Sequence, residues 1–522
     1  MKPKFISGPP GTGKTNFFIK DKYLELLQKY HYEKIVILSH TNVAADEIRD
    51  VILDLPLMKE KGVTNKALEH NICTIHHYCN HKLLSKHTFK YEDHLNIARL
   101  NSQFNRVRLN SSDDINKKHP FYKFLNDAHG NGYYNNLKLF WFKKSTDRKS
   151  YFPYDFDSIL KLKEVYDAYR KRERLYDFID MIQEFITKAK NPEIDALIID
   201  EAQDSNRPQL EAIMKMATNV KDGNFYMVGD ADQTIFEFAG SDPEYFHKLS
   251  KDAQELENGK RCGETINKLC KSIIKPIWDH YGYDRIWKPA KGIVGNHYYL
   301  PSLKTKSSSM EKLLDKIENT KETFLFTFRG NPSDTWVKEF FKDHGIEFAH
   351  VGNTAHVPKK ELRCHKVWPE FVKGKPVSLK QIKDFWSYIG SKVVVRGKGQ
   401  ETFEDWINQD YTIDTLISKG YLKPTQETDF AMVRTKTEKD RLVYINKILR
   451  KGFDFNGDIR VQYGNIHTVK GMTFDNVIVD LTATRKEDYF TQLRLKYVAY
   501  SRGRIDCWTI ASQGKYTLGG RR

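Results

Sequence analysis

An α/β architecture of two nucleotide-fold domains, each built on a parallel sheet and each carrying an insertion, is what the sequence predicts. Three observations predict it. A glycine loop, "GPPGTGKT" (Gly8–Thr15), stands between an apolar run, "KFIS" (Lys4–Ser7), and a helical spacing of Ile19, Tyr23, Leu26 and Tyr30. With the buried strand "KIVILSH" (Lys34–His40) that follows, this is a βαβ unit, which needs a parallel sheet. Two more apolar runs, "ALIID" and "FYMVGD", end in Asp200 and Asp230, and ligand sites in such sheets gather at the carboxyl ends of the strands.

A second α/β pattern comes later in the chain. "TFLFTF" (Thr323–Phe328), "DFAMVR" (Asp429–Arg434), "NVIVDL" (Asn476–Leu481) and "CWTIAS" (Cys507–Ser512) read as its strands, with helices such as "DRLVYINKILRK" between them. Two segments interrupt the sheets. One, from about His81 to Ala189, is rich in Lys, Asn, Phe and Tyr and ends in a long helical stretch, "SILKLKEVYDAYRKRERLYDFIDMIQEFITKA". The other, from about Asn353 to Thr428, is basic and mixed.

Composition narrows the function. Hydrophobic residues at 39% and charged residues at 29% are an ordinary globular balance, so disorder is not the expectation. No run of about 18 apolar residues occurs, which argues against a spanning helix. The opening "MKPKFISGPPG" has no apolar signal-peptide core, and the six cysteines form no CxxC pair. The expectation is a cytosolic protein with reduced thiols. Lys and Arg number 85 against 68 Asp and Glu, a net +17 that suits a polyanionic partner, nucleic acid first.

The glycine loop supplies the chemistry. Backbone N–H groups of Gly8, Gly11, Thr12 and Gly13, with Pro9 and Pro10 lending the loop their fixed geometry, would wrap a phosphate at a helix start. Lys14 would reach the β- and γ-phosphates of ATP, and the Thr15 hydroxyl would ligate Mg²⁺. In "LIIDEAQDS", Asp200 at a strand end fits the Mg²⁺-holding acid, and Glu201 fits the base that activates water.

"DEAQD" followed by "VGDADQTIFEFAG" resembles motifs II and III of superfamily-one helicases of the UvrD/Rep type. Further stretches are similar to the other motifs, in order. They are "LSHTNVAADEI" (Ia), "TIHHYC" (Ib), "LENGKRCGETI" (IV), "IHTVKGMTFDNV" (V) and "LKYVAYSRGR" (VI). The resemblance implies two RecA-like P-loop domains: 1–80 with 190–268, and 269–352 with 429–522, interrupted by inserted subdomains at 81–189 and 353–428. It implies that Gln233 senses the γ-phosphate and that Arg261 and Arg502 reach it from the second domain, with Gly471 also at the nucleotide. Thr41, Asn42, His76, Arg329, His467 and Thr468 match positions that hold the strand. Phe236 and Phe238 alternate, so on an extended segment both rings would face one groove and stack on bases.

Other features depart from the family or compete with it. Only seven residues precede Gly8 and none is the glutamine that reads adenine in the family. Lys260 stands where motif IV carries a stacking ring, and Thr473 where motif V carries a ribose-binding acid. Base selectivity is therefore expected to be weak. "CTIHHYCNH" crowds Cys73, His76, His77, Cys79 and His81, but its spacing is not that of a paired-ligand zinc site, and motif Ib accounts for it. The implied function is a 3′–5′ DNA helicase or translocase that uses ATP and Mg²⁺ and binds single-stranded DNA and its junctions with duplex, with no membrane partner. A nucleotide-gated binding switch and an RNA helicase are the alternatives.

Overall fold

Short, mostly buried apolar runs make the centre of both sheets. The computed structural model describes residues 2–84, 120–134, 136–143, 155–173, 178–329, 331–398, 403, 406–434, 439–452, 457–482 and 488–511. They fall into two units, Met1–Ile293 with Glu487–Ser501, and Val294–Lys486 with Arg502–Arg522. No helix among the described residues is long and apolar enough to cross a membrane.

In the first unit, β1 (Lys4–Ser7), β2 (Ile35–Ser39), β3 (Ile72–Thr74), β4 (Ala196–Ile199), β5 (Phe225–Gly229) and β6 (Gln254–Glu255) form a six-stranded sheet. Its order is β3-β2-β4-β5-β1-β6 and every pairing is parallel. Alternate residues of each strand enter opposite cores: Ile37, Ile198 and Val228 on one face, Leu38, Leu197 and Met227 on the other. A sheet covered on both faces needs such unbroken apolar runs, and each buried side chain is worth about 1.5–3 kcal/mol. The register aligns Ser7 with Gly229 and Ser39 with Thr74, so the carboxyl ends of the strands form one edge.

The second unit repeats the plan. β7 (His297–Leu300), β8 (Phe324–Phe328), β9 (Ala349–His350), β12 (Val461–Asn465), β13 (Phe474–Asp480) and β14 (Gly503–Ile510) pair in parallel in the order β7-β14-β13-β8-β12-β9. Among the described residues between β9 and β12 there is a two-stranded antiparallel ribbon, β10 (Val377–Ser378) with β11 (Asp410–Tyr411). This stretch has its own core around Trp368, Phe385 and Phe403. The expected α/β class with two parallel sheets is thus present.

One expectation changes. "DFAMVR" is not a strand: Asp429 caps a short helix, Phe430–Val433, by accepting from Ala431 N–H at 2.9 Å. Phe430 and Val433 then join the insertion core, and β7 and β12 take places in the sheet. The long helical stretch is described as two helices, Phe156–Glu173 and Phe178–Lys188, with 174–177 outside the described residues. Finally, the helices Glu264–Tyr281 and Tyr489–Tyr500 both belong to the first unit. A hydroxyl–carboxylate contact from Tyr497 to Asp230 (3.4 Å) and an ion pair from Arg494 to Glu237 (2.7 Å) tie the latter helix there.

Candidate active site

The glycine loop leaves β1 and is fastened at its start, where Gly8 N–H donates to Gly229 O at the end of β5 (3.2 Å). Thr12 closes the loop by donating its hydroxyl to Pro9 O at 2.8 Å. Gly11 (φ +72°) and Gly13 (φ +80°) sit in the left-handed region, where a side chain would be strained. At Gly11 a Cβ would also lie 2.2 Å from Arg261 Cβ. Lys14 opens the helix after the loop, is buried, and stretches its ammonium back to Gly8 O at 2.9 Å, spanning the loop from inside. Thr15 follows it, half-buried.

Asp200 follows β4 at the same sheet edge. Its carboxyl is buried and Oδ1 has no hydrogen-bond partner. Burial, reinforced by Glu201 and opposed by Lys14, raises its pKa to about 7. An orphaned carboxylate oxygen beside a hydroxyl-bearing loop fits a divalent cation, which would supply the missing partner. Glu201 adopts a left-handed backbone (φ +49°), one of two non-glycine residues to do so among the described residues. Such strain, about 1–3 kcal/mol, collects at working positions.

Gln203, which sequence reasoning passed over, fixes Glu201. Its amide donates to Glu201 Oε2 at 2.5 Å while its Oε1 accepts from Asp230 N–H at 3.1 Å. Gln233 is buried and donates to Asp230 Oδ2 at 2.8 Å. Asp230 is therefore the hub between the motif II acid and the motif III glutamine. Arg285 holds that hub. One guanidinium nitrogen donates to Asp230 and Asp232, both at 2.7 Å; the other reaches Ser7 Oγ (2.8 Å) and Glu255 (3.1 Å). Burial works against its charge, yet the three carboxylates hold its pKa well above the usual arginine value.

Arg261 does not come from the second unit, as had been expected. It lies in the first, donates to Ser501 O (3.4 Å), and packs on the loop because Lys260 N–H donates to Gly11 O at 2.8 Å. Burial lowers its pKa, with Cys262 and Glu201 opposing. The Lys260 side chain runs along the loop: its ammonium is 3.4 Å from where a Gly13 Cβ would stand. Between the loop and this segment lies a cavity of about 480 Å³ lined by Asn16, Phe17, Asp21, Asn258 and Lys260.

The family description "UvrD/REP helicase N-terminal domain" matches residues 1–254, the stretch that carries Lys14, Asp200, Glu201 and Gln233. Over that stretch the chain is similar to helicases of the UvrD/Rep type. It is similar to the ATP-dependent DNA helicase Rep of Buchnera aphidicola subsp. Schizaphis graminum, 23% identical over 398 residues, covering 69% of this chain and 56% of that protein. Rep of Escherichia coli K12 is 24% identical over 221 residues (38% and 32%). UvrD1 of Mycobacterium tuberculosis H37Rv is 24% identical over 229 residues (38% and 29%). The chain spans about half the length of the Rep relatives from Buchnera that it matches.

The remaining UvrD/Rep-motif residues divide between the units. Thr41 is the N-cap of the helix Asn42–Leu53 and accepts from Ala44 N–H at 3.2 Å, so its hydroxyl has a structural task; Asn42 beside it is exposed. His76 lies half-buried near the start of the helix Ile75–Leu84. Phe236 and Phe238 are not on an extended segment: Phe236 caps a 3₁₀ turn, Glu237–Ala239. The turn still brings the rings together, with centroids 6.0 Å apart, and leaves Phe238 60% exposed. In the second unit, β8 and β12 pair Phe328 with Asn465, so Arg329, His467 and Thr468 follow the carboxyl edge of one sheet. Gly471 sits in the turn after β12 at φ +89°, and the turn accounts for the glycine. Arg502 is buried in the second unit and donates weakly to Met472 O (3.5 Å).

Proposed function

We propose that the chain is an ATP-dependent DNA helicase or single-strand translocase that runs 3′ to 5′. One observation carries the reading: Lys14, Asp200, Glu201 and Gln233 all follow strands at the carboxyl edge of a single parallel sheet, where Gln203 and Asp230 link Glu201 to Gln233. The loop would bind the triphosphate through its backbone N–H groups and Lys14. Thr15 and Asp200 would hold Mg²⁺, which neutralises charge on the β- and γ-phosphates when bound. Glu201, aimed by Gln203, would take a proton from the attacking water. Gln233, tied to Asp230, would carry the presence of the γ-phosphate to the adjacent Phe236–Phe238 turn. Arg261 would face the phosphates from motif IV, and Arg502 and Gly471 keep the roles the resemblance assigns them.

The exposed Phe238 ring and the basic surplus support a single-stranded nucleic-acid track. We assign segments 81–189 and 353–428 to the inserted subdomains and the site of action to the cell interior. The test is strand separation with 3′-tailed and 5′-tailed duplexes, in DNA and RNA forms, beside ATPase rates with and without single strands. Unwinding of 3′-tailed DNA with stimulated hydrolysis is expected. Hydrolysis without unwinding would make the protein a nucleotide-gated switch, and 5′-tailed unwinding alone would reverse the polarity.

A further inference from the structure

The segment that leads into motif Ib carries a second constellation. His70 stands just before β3, and His77 lies on the helix Ile75–Leu84 that follows it. His70 Nδ1 and His77 Nε2 face each other at 3.3 Å. Glu69 brings a carboxylate to the same spot, and one ligand atom from each of the three lies within 4.8 Å of the others. His81, one helical turn after His77, stacks on His70 with centroids 3.8 Å apart and rings 8° from parallel, which fixes the plane of that imidazole. The cysteines that crowd the sequence here take no part. Cys73 and Cys79 are buried in the sheet core, and burial pushes the Cys73 thiol up to about 12.

We propose that Glu69, His70 and His77 form a site for a borderline divalent transition ion of the Zn²⁺ class. Zinc–nitrogen bonds of about 2.0–2.1 Å in a tetrahedron place neighbouring ligand atoms about 3.3–3.4 Å apart, the spacing the two imidazoles already show. Two nitrogens and one carboxylate oxygen suit Zn²⁺ or Co²⁺ and not Mg²⁺ or Ca²⁺, which take oxygen cages. The ligands must be neutral imidazoles. Glu69, on the surface side, swings to close the third position, and water fills the fourth. The ion would pin the approach to β3 onto the first turns of the helix that carries His76. The competing reading is a plain imidazole–imidazole hydrogen bond, which needs no metal.

Chelator-stripped full-length protein, kept in excess Mg²⁺ to fill the nucleotide site, is titrated with Co²⁺ and the visible d–d absorption is followed. One equivalent should bind with the intensity of a low-coordinate ion and be displaced by Zn²⁺. His70→Gln and His77→Gln should each lower Co²⁺ affinity by at least about tenfold, and His31→Gln, a surface histidine elsewhere, should not. Zn²⁺ should raise the melting temperature of the wild type and leave both variants unmoved, which separates lost binding from lost folding. Absorption no stronger than that of free aqueous Co²⁺, or a band retained by both variants, would overturn the site.

Discussion

Arg285→Met should unfold the first unit more readily than any single change at the phosphate loop. The guanidinium makes close contacts to Asp230, Asp232, Glu255 and Ser7, and Asp230 and Asp232 are both fully buried. Trp278 and Tyr283 donate to Asp232, at 2.8 and 3.4 Å, but neither brings charge. Removing the cation leaves two buried carboxylates without a counter-charge, and breaking such an arrangement costs about 3–5 kcal/mol. At roughly 2–4 °C per kcal/mol for a domain of this order of size, the first unfolding transition should fall by roughly 6–20 °C. Adding Asp230→Asn and Asp232→Asn removes the orphaned charges and should return most of the loss, because a buried charge cluster replaced as a whole is nearly neutral in energy. Activity should not return with it, since the amide at 230 no longer offers Gln233 a carboxylate. Thermal and denaturant unfolding of the nucleotide-free proteins measure the first two numbers, and steady-state ATPase the third. A single variant within about 1 kcal/mol of wild type, or a triple variant no more stable than the single, would refute the reasoning.

Four further outcomes are expected. Lys14→Ala should weaken nucleotide binding and turnover together, whereas Glu201→Gln should bind normally and turn over at least about 100-fold slower; near-normal kcat in the latter would remove the base assignment. Phe238→Ala should cost about 1–3 kcal/mol of single-strand binding with the melting temperature unmoved, as the ring is exposed; the reverse pattern would make it a core residue. His247 is buried against Asp232 and hydrogen-bonded to Tyr283, and burial holds its pKa down at about 3. The unfolded chain therefore takes up a proton below about pH 6.5 that the folded protein refuses, so stability present at neutral pH is lost as pH falls, by about 1.4 kcal/mol per unit. His247→Gln should remove about 2 kcal/mol of the difference in unfolding free energy between pH 7 and pH 5, and an unchanged slope would contradict this. ATP and GTP should differ by at most roughly ten- to thirtyfold in kcat/KM, about 1–2 kcal/mol, and a thousandfold preference would show that the base is read by other groups.

Much of the carboxyl edge of the first sheet was legible because its signals are local. A glycine loop between an apolar run and a helix, and an acid closing a buried strand, need only neighbouring residues to be read. The parts that stayed hidden depend on contacts far apart in the chain. Nothing in "YGYDRIWKP" marks Arg285, whose partners lie at Ser7, Asp230, Asp232 and Glu255 and meet only because β5, β1 and β6 are adjacent. The helix Tyr489–Tyr500 packs with the first unit, which the sequence did not signal, for a related reason. Its middle is buried all round, from Leu493 to Tyr500 apart from Lys496, so periodicity offers no face to say what it packs on. "DFAMVR" reads as an apolar strand run and "TIFEFAG" alternates like a strand, but the cap at Asp429 and the turn at Phe236 set the backbone instead.

Lys260 shows how the two kinds of reading combine. The sequence flags it as a loss, a missing ring where the family stacks on the base. The structure puts its side chain along Gly13, on the glycine-loop side of the cavity, with its backbone N–H already bonded to Gly11 O. An ammonium there can bind any nucleoside triphosphate, since all four share the phosphates and differ only in the base. On this reading the substitution would shift recognition from base to phosphate. Lys260→Ala should then raise KM for ATP and GTP by the same factor, while a loss confined to ATP would mean that the lysine stem covers the adenine and that this account of the departure is mistaken.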